Sequence, residues 1–368
     1  MKNKICVYTC ITGDYDNVNE LPFKEKGVDY FLFTNNKKIT SNSWNVIYIN
    51  NVSNLDNVRL ARKIKVLGHD LLKEYDITVW IDGASYIRRS VCEFIDKYCD
   101  FDKFDLIGFK HRERDCIYDE ALECAKVLKD NKDILKKQIS IYKKDNYPRH
   151  NGLIESTILF RKNKSTKLSK TMTMWFNEIK KYSCRDQISF NYVAYKTGLK
   201  FNLLDFNVFD NDYFGWRKHV VKKNIKKFSV NFGDDDLFDF DSIISEEYKI
   251  SGNLYSGRFK VKKNCNLMKI QFCNFSGIEF NNLLFDCNYD SYNLVNWSLY
   301  YDKKLFDGGM PTVFLYGNFK KNKVIKFSIE MNIVSEDFYL KLIKRLNYDV
   351  ITLSKKRKFR FFKKRGVK

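Results

Sequence analysis

Short apolar runs alternate with helix-spaced segments over about the first 215 residues, the pattern of a layered α/β domain. "KICVYTCIT", "VDYFLFT" and "WNVIYIN" are predicted strands, as are "TVWID", "FDLIGFK" and "GLIESTILFR". Between them, "LDNVRLARKIKVLGHDLLKEY" reads as one helix, because Leu60, Ile64, Leu67 and Leu71 recur at helical spacing. The stretch from Cys116 to Lys144 is helical and charged. "MTMWFNEIKKYS" and "RDQISFNYVAYKTG" are two more helices, the second stopped by Gly198.

Near residue 228 the pattern changes to short alternating runs such as "YSGRFKVKK", "LMKIQFC", "PTVFLYG" and "VIKFSIEMNIV", with Asn, Gly and Asp between them. That is the pattern of an antiparallel β-sandwich. A helix over "SEDFYLKLIKRL" then leads into a basic tail. The predicted organisation is an α/β domain over 1–218, a β-sandwich over 228–336, and a short helix with the tail over 337–368.

Composition narrows the classes. Of 368 residues, 44% are hydrophobic and 16% aromatic, enough for real cores. Gly13, Asp14 and Asp16 interrupt the first apolar run too early for a secretory signal. No apolar run approaches the ~18 residues of a membrane span. The ten cysteines form no Cys-x-x-Cys pair, which predicts reduced thiols, a cytoplasmic protein and no zinc motif. The net charge of +21 is uneven: "KKRKFRFFKKRGVK" holds nine Lys or Arg. This is either a solvated tail or a contact with an anionic membrane leaflet, where Phe359, Phe361 and Phe362 would sit among the headgroups. No recognisable nucleic-acid-binding fold accompanies the charge, so no nucleic-acid partner is expected.

Candidate chemistry lies where strands end, since ligands bind at the carboxyl edge of open α/β sheets. The "ITGDYD" turn carries Thr12, Gly13, Asp14 and Tyr15, and is either a nucleoside contact or an ordinary turn. No Walker or G-x-G-x-x-G pattern is present. Arg59, Arg62 and Lys65 share one helical face, suited to a diphosphate or simply solvated. Asp82 ends a buried strand, either as a ligand of a divalent metal (Mn or Mg) or as a turn cap. Lys110, His111, Arg112, Arg114 and Asp115 crowd six residues, facing a polar ligand or forming a salt-bridge knot. Glu155 sits within a strand, and Asp186 starts a helix, where the dipole favours an acid.

The order of these pieces is more informative than any one of them. "VYTCITGDYD", "DYFLFTN", "RLARKIK", "WIDG", "KHRERDCIYDE", "GLIESTILFR" and "SCRDQ" follow one another over about residues 5 to 200. This series resembles the TOD/MUCI-type glycosyltransferase-like domain and, more distantly, retaining GT-A enzymes that read Asp-x-Asp, Asn-x-Gly and Asp-Gln. The resemblance implies a GT-A-like, Rossmann-type nucleotide-sugar domain, followed here by a β-sandwich. It implies transfer of a sugar, UDP-linked, to a glycan or lipid-linked acceptor in surface polysaccharide assembly. Thr9, Thr12, Asp14, Tyr15 and Thr34 would line the nucleoside, and Arg59, Arg62 and Lys65 would hold the diphosphate. Asp82 would hold the metal or the donor ribose, and Ala84 stands where a second acid would be. His111, Arg114, Glu155 and Asp186 would surround the transferred sugar, with Asp186 the first choice of catalytic carboxylate. In the sandwich, Trp297, Tyr300, Tyr301 and Tyr316 are either core or sugar-stacking aromatics. Two other classes stay open: a metal-assisted hydrolase using Asp82 and His111, and a non-catalytic glycan-binding protein.

Overall fold

The computed structural model describes residues 3–14, 18–51, 54–217, 227–233, 240–272, 278–295, 298–300, 303–306 and 312–333. The chain divides into two compact units, Met1–His219 and Val220–Lys368. The first is built on a seven-stranded sheet. Its strands are β1 (Ile5–Cys10), β2 (Val28–Thr34), β3 (Asn45–Tyr48), β4 (Ile77–Ile81), β6 (Leu106–Lys110), β7 (Ile154–Lys162) and β8 (Phe201–Leu204). They lie in the order β3-β2-β1-β4-β7-β6-β8. β3, β2, β1 and β4 are parallel, and β7 runs antiparallel between β4 and β6. A separate ribbon pairs β5 (Ser85–Ile87) with β9 (Phe214–Trp216), immediately after the site-bearing strand end. The sequence pattern gives no hint of this ribbon, because three residues are too few to show a period.

β1 and β4 are buried at every position, so they read as unbroken apolar runs rather than alternating ones. One face presents Val7, Leu32, Val79 and Phe160 to α2 (Val91–Tyr98) through Val91, Phe94 and Ile95. The other face carries Tyr8 and Trp80, and meets α1 (Asn57–Leu67): the Tyr8 hydroxyl donates to Lys65 O at 3.0 Å. α1 packs on α5 (Thr166–Lys181), which packs on α6 (Asp186–Thr197).

α1 is shorter than its apolar spacing predicts. Asp56 caps it by accepting from Arg59 N, and Gly68, at φ +75°, ends it before a short 3₁₀ turn. Leu67 and Leu71 are therefore exposed, while Lys65 is buried on the inward face with Leu60, Ile64 and Val66. The charged stretch after Cys116 splits into α3 (Ile117–Lys126) and α4 (Lys132–Lys144). Leu128 at φ +50° and the Asn131 cap separate them.

The second unit holds a five-stranded and a six-stranded antiparallel sheet. The first contains β10 (Lys227–Gly233), β11 (Ile243–Glu247), β14 (Cys265–Phe272), β16 (Ser291–Val295) and β19 (Thr312–Phe319). The second contains β12 (Lys249–Ser251), β13 (Leu254–Lys260), β15 (Ile278–Phe285), β17 (Ser298–Tyr300), β18 (Lys303–Phe306) and β20 (Val324–Ile333). Phe228, Val230, Met268, Ile270 and Leu315 from one sheet share a core with Phe259, Phe327 and Ile329 from the other, the packing of a sandwich. Tyr316 is half-buried to exposed on its strand. The side chains of Trp297, Tyr300 and Tyr301, the helix expected over "SEDFYLKLIKRL" and the basic tail lie outside the described residues.

Candidate active site

The strand order brings the singled-out residues to one edge of the first sheet. Asp82 follows β4, and its backbone N–H donates to Thr157 O at 2.9 Å, which ties that end to the start of β7. His111 follows β6, and its N–H donates to Leu153 O at 2.9 Å. Because β7 is antiparallel to its neighbours, its first residues, Glu155 to Thr157, lie beside the last residues of β4 and β6.

A first cluster joins α1, β4, β7 and α6. Lys65 Nζ lies 2.6 Å from Asp186 Oδ2 and 3.3 Å from Asp82 Oδ1, and donates to Ser156 Oγ at 3.1 Å. Ser156 Oγ donates in turn to Asp186 Oδ2 at 2.9 Å. The Trp80 indole N–H donates to Asp82 Oδ1 at 2.8 Å. Arg62 reaches both acids at ion-pair rather than hydrogen-bond distance, 3.6 Å to Asp186 and 3.9 Å to Asp82. Burial opposes ionisation of Asp186, but Arg62 and Lys65 outweigh it and hold the carboxyl well below the usual range. The side chains of Lys65 and Asp186 are 1% and 2% exposed, whereas that of Asp82 is 32% exposed. Asp82 is thus the carboxylate this cluster offers to a ligand. Asp186, the expected catalytic carboxylate, is buried beneath it with both oxygens committed to cations.

A second cluster surrounds Glu155. Its Oε1 accepts from Thr157 Oγ1 at 3.0 Å and from Gln187 Nε2 at 2.9 Å, and its Oε2 faces His111 Nε2 at 3.8 Å. His111 Nδ1 accepts from the backbone N–H groups of Glu113 and Arg114, both at 3.2 Å. In the neutral ring the proton therefore sits on Nε2, between Glu155 and Glu120. Burial lowers the His111 pKa more than the nearby Glu120 raises it, which favours that neutral form. Glu120 is buried, yet Arg114, at 2.7 Å, and His111 offset the burial and keep its pKa below the ordinary value. Glu155 forms no ion pair with a lysine or arginine among the described residues: burial pushes its pKa up to about 7, the charges of Asp82 and Glu120 add to that, and the Thr157 hydrogen bond and the Lys65 charge oppose it only in part. Arg114 is accordingly a partner of Glu120 rather than a group aimed at a sugar.

The remaining candidates divide. Arg59 is turned away from both acids. It donates to Ile179 O at 3.1 Å, Tyr182 O at 2.8 Å and Asp56 at 2.7 Å, so it ties α1 to the carbonyl end of α5. Among the nucleoside candidates, Thr12 donates to Asn57 O at 2.7 Å, and Thr34 Oγ1 accepts from Asn36 N at 3.0 Å. Asp14 is exposed and accepts from Asn36 Nδ2 at 3.1 Å. Thr9 Oγ1 is buried without a hydrogen bond among the described residues, and Tyr15 lies outside them. Gly13, at φ +59°, lets the turn approach Asn57, where a Cβ would meet Nδ2 at 2.4 Å. Of the asparagines that build this corner, Asn35 closes the "DYFLFTN" motif, whereas Asn36 and Asn57 lie in no family motif and escape a sequence reading. Ser156 and Glu120 escape it too, although each lies inside a quoted motif, whereas Gln187 is the second member of the Asp-Gln pair in "SCRDQ".

A divalent ion of the Mg²⁺ or Mn²⁺ class needs hard oxygen donors and fits a single carboxylate when diphosphate oxygens and water complete its shell. Asp82 Oδ2 is such a donor: its partner oxygen takes the cations, and Oδ2 takes no hydrogen bond among the described residues. Asp82 would hold the ion, and Asp186 and Glu155 would not join it. Among the described residues, one group of three metal-ligating side chains is found elsewhere: Cys116, Asp119 and His150.

Residues 1–224 match the model of the TOD1/MUCI70 glycosyltransferase-like domain. The probable hexosyltransferase MUCI70 of Arabidopsis thaliana is 23% identical over 207 residues, which is 54% of this chain and 34% of that protein. The chain therefore spans about a third of that relative's length. Two solved structures are also similar. The apo WbbM bifunctional glycosyltransferase shows 11% identity and a TM-score of 0.34, over 55% of this chain and 39% of that one. Apo mouse xyloside xylosyltransferase 1 shows 10% identity and a TM-score of 0.34, over 55% of this chain and 85% of that one.

Proposed function

The chain belongs to the TOD1/MUCI70 glycosyltransferase-like family, and from that premise we propose that its first unit transfers a sugar from a nucleotide donor, of the UDP class, to a glycan or lipid-linked acceptor. One observation carries the reading. A partly exposed Asp82 carboxylate stands at the strand edge over a buried Lys65–Asp186 pair, with Arg62 beside it and Glu155 on the next strand.

Each group then has a task. Arg62 offers a guanidinium to the departing diphosphate, stabilising charge that grows in the transition state. Lys65 is too buried to touch a ligand; it fixes Asp82 and Asp186 relative to each other. When bound at Asp82, a divalent ion would supply further electrostatic stabilisation of the leaving group. Glu155 Oε2 takes the proton of the acceptor hydroxyl as that oxygen bonds the anomeric carbon and the carbon–oxygen bond to the diphosphate breaks. Its pKa of about 7 suits a base working near neutrality. Neutral His111, held by the Glu113 and Arg114 backbone, keeps a donor beside Glu155.

The test is UDP release from a panel of UDP-sugars, with calorimetric UDP binding measured with and without Mn²⁺. Saturable UDP binding that falls at least tenfold in Asp82→Asn is expected. A folded protein that binds neither UDP nor any UDP-sugar overturns the reading.

We also read the tail "KKRKFRFFKKRGVK" as a contact with the anionic leaflet of a membrane, which would hold a cytoplasmic enzyme near a lipid-linked acceptor. No helix among the described residues is long and apolar enough to cross a membrane. Co-sedimentation with anionic and neutral vesicles, with and without the tail, tests this. Equal pelleting of both forms would rule it out.

A further inference from the structure

We propose that Cys116, Asp119 and His150 form a second metal site, for a zinc-class ion, apart from the Asp82 crevice. Their ligand atoms all lie within 4.8 Å of one another, although 31 residues separate Asp119 from His150. Cys116 and Asp119 are three apart at the start of α3 and so share a face. Cys116 occupies the N-cap position, but its side chain makes no cap hydrogen bond. His150 adopts a left-handed backbone, at φ +54°, in the loop that enters β7. A histidine held there needs local support.

That support has the form found around metal-bound imidazoles. His150 Nδ1 lies 2.7 Å from Asp115 Oδ1, which orients the ring and leaves Nε2 for an ion. Asp119 Oδ1 receives Arg149 Nη2 at 2.6 Å, so Oδ2 is the oxygen available. A thiolate, an imidazole and a carboxylate suit Zn²⁺, with water completing a tetrahedron. They do not suit Mg²⁺ or Mn²⁺, which makes this site chemically distinct from Asp82. On loading, the Cys116 thiol gives its proton to solvent as the sulfur–metal bond forms.

The position gives the ion a task. The segment holding Cys116 and Asp119 also carries Glu120 and follows His111 directly. His150 precedes Glu155 by five residues. A metal at this point staples together the two segments that meet as the Glu120–His111–Glu155 cluster. The inference does not depend on glycosyl transfer, because metal content is measured without any substrate.

The experiment treats the full chain with chelator, reloads it with Zn²⁺ and measures bound metal by elemental analysis and chelator competition. About one equivalent is expected per chain, with a thermal midpoint that rises on loading. His150 is exposed, so His150→Ala should fold normally and lose at least tenfold in affinity. Asp115→Asn should lose about 10- to 100-fold through the orienting contact alone. Co²⁺ loading should give thiolate-to-metal absorption in the wild type that is absent from Cys116→Ser. Stoichiometric zinc that survives both His150→Ala and Cys116→Ser would come from other thiols and overturn the proposal, as would a wild-type chain that takes up none.

Discussion

Lys65 and Asp186 form a fully buried ion pair at 2.6 Å, and Asp82, at 3.3 Å from the same ammonium, is the exposed end of that arrangement. Removing one member of a buried pair leaves an uncompensated charge, which costs about 3–5 kcal/mol. Lys65→Met should therefore lower stability by ~3–5 kcal/mol, seen as a fall in the urea midpoint. The double change Lys65→Met with Asp186→Leu should recover part of that loss, because it removes both charges. Equal stability of Lys65→Met and wild type would mean the pair is not formed.

Asp82→Asn keeps the size of a side chain that is one-third exposed. It should change stability by less than ~1 kcal/mol, as partly exposed charges do. Turnover of a nucleotide sugar should nevertheless fall to background. Near-normal turnover in the folded variant would remove Asp82 from the site.

The two arginines of α1 should behave differently, although three residues separate them. Arg62→Ala should weaken UDP binding by ~1.5–3 kcal/mol and leave uridine binding almost unchanged, because a charge-assisted contact to phosphate is lost. Arg59→Ala should instead lower stability, since it frees the Ile179 and Tyr182 carbonyls at the end of α5. Paired calorimetry and thermal melts separate the two roles. A selective loss of UDP affinity in Arg59→Ala would contradict this assignment.

Glu155 gives the pH dependence. Its folded pKa of about 7 lies above the ordinary carboxylate value of 4.5, so the folded state binds the extra proton between those values. Stability from this group is complete below about pH 4.5 and is lost as pH rises through 7. Glu155→Gln cannot ionise, so its stability relative to wild type should grow by ~3 kcal/mol from pH 4 to pH 8. Transfer should show the opposite trend: the wild-type rate should rise through pH 7 as the base loses its proton, and the variant should be slow throughout. Melts and rates at matched pH values test both halves, and a pH-independent difference in stability would show that folding does not raise the Glu155 pKa.

The α/β pattern, the strands bearing Asp82 and Glu155, and the change to a sandwich near residue 228 are carried by the sequence itself. They rest on local periodicity and on apolar runs such as "ITVWI", which bury in any compact arrangement. The family motifs likewise name His111, Glu155, Asp82 and Asp186 from residue order alone. What each side chain does is set by tertiary packing. Arg59, Arg62 and Lys65 look alike at a spacing of three, but one caps α5, one stands between two acids, and one is buried against Trp80. Asp186 and Glu155 are both carboxylates near the same edge. Two cations beneath the sheet hold the first ionised, while burial without a paired cation keeps a proton on the second near neutrality. Cys116 and His150 are far apart in the chain, and only the antiparallel return of β7 beside β6 places them within a metal's reach. Periodicity reports which face of an element is apolar. Charge state and ligand geometry depend on groups from other elements within a few ångströms, and only the folded chain supplies those.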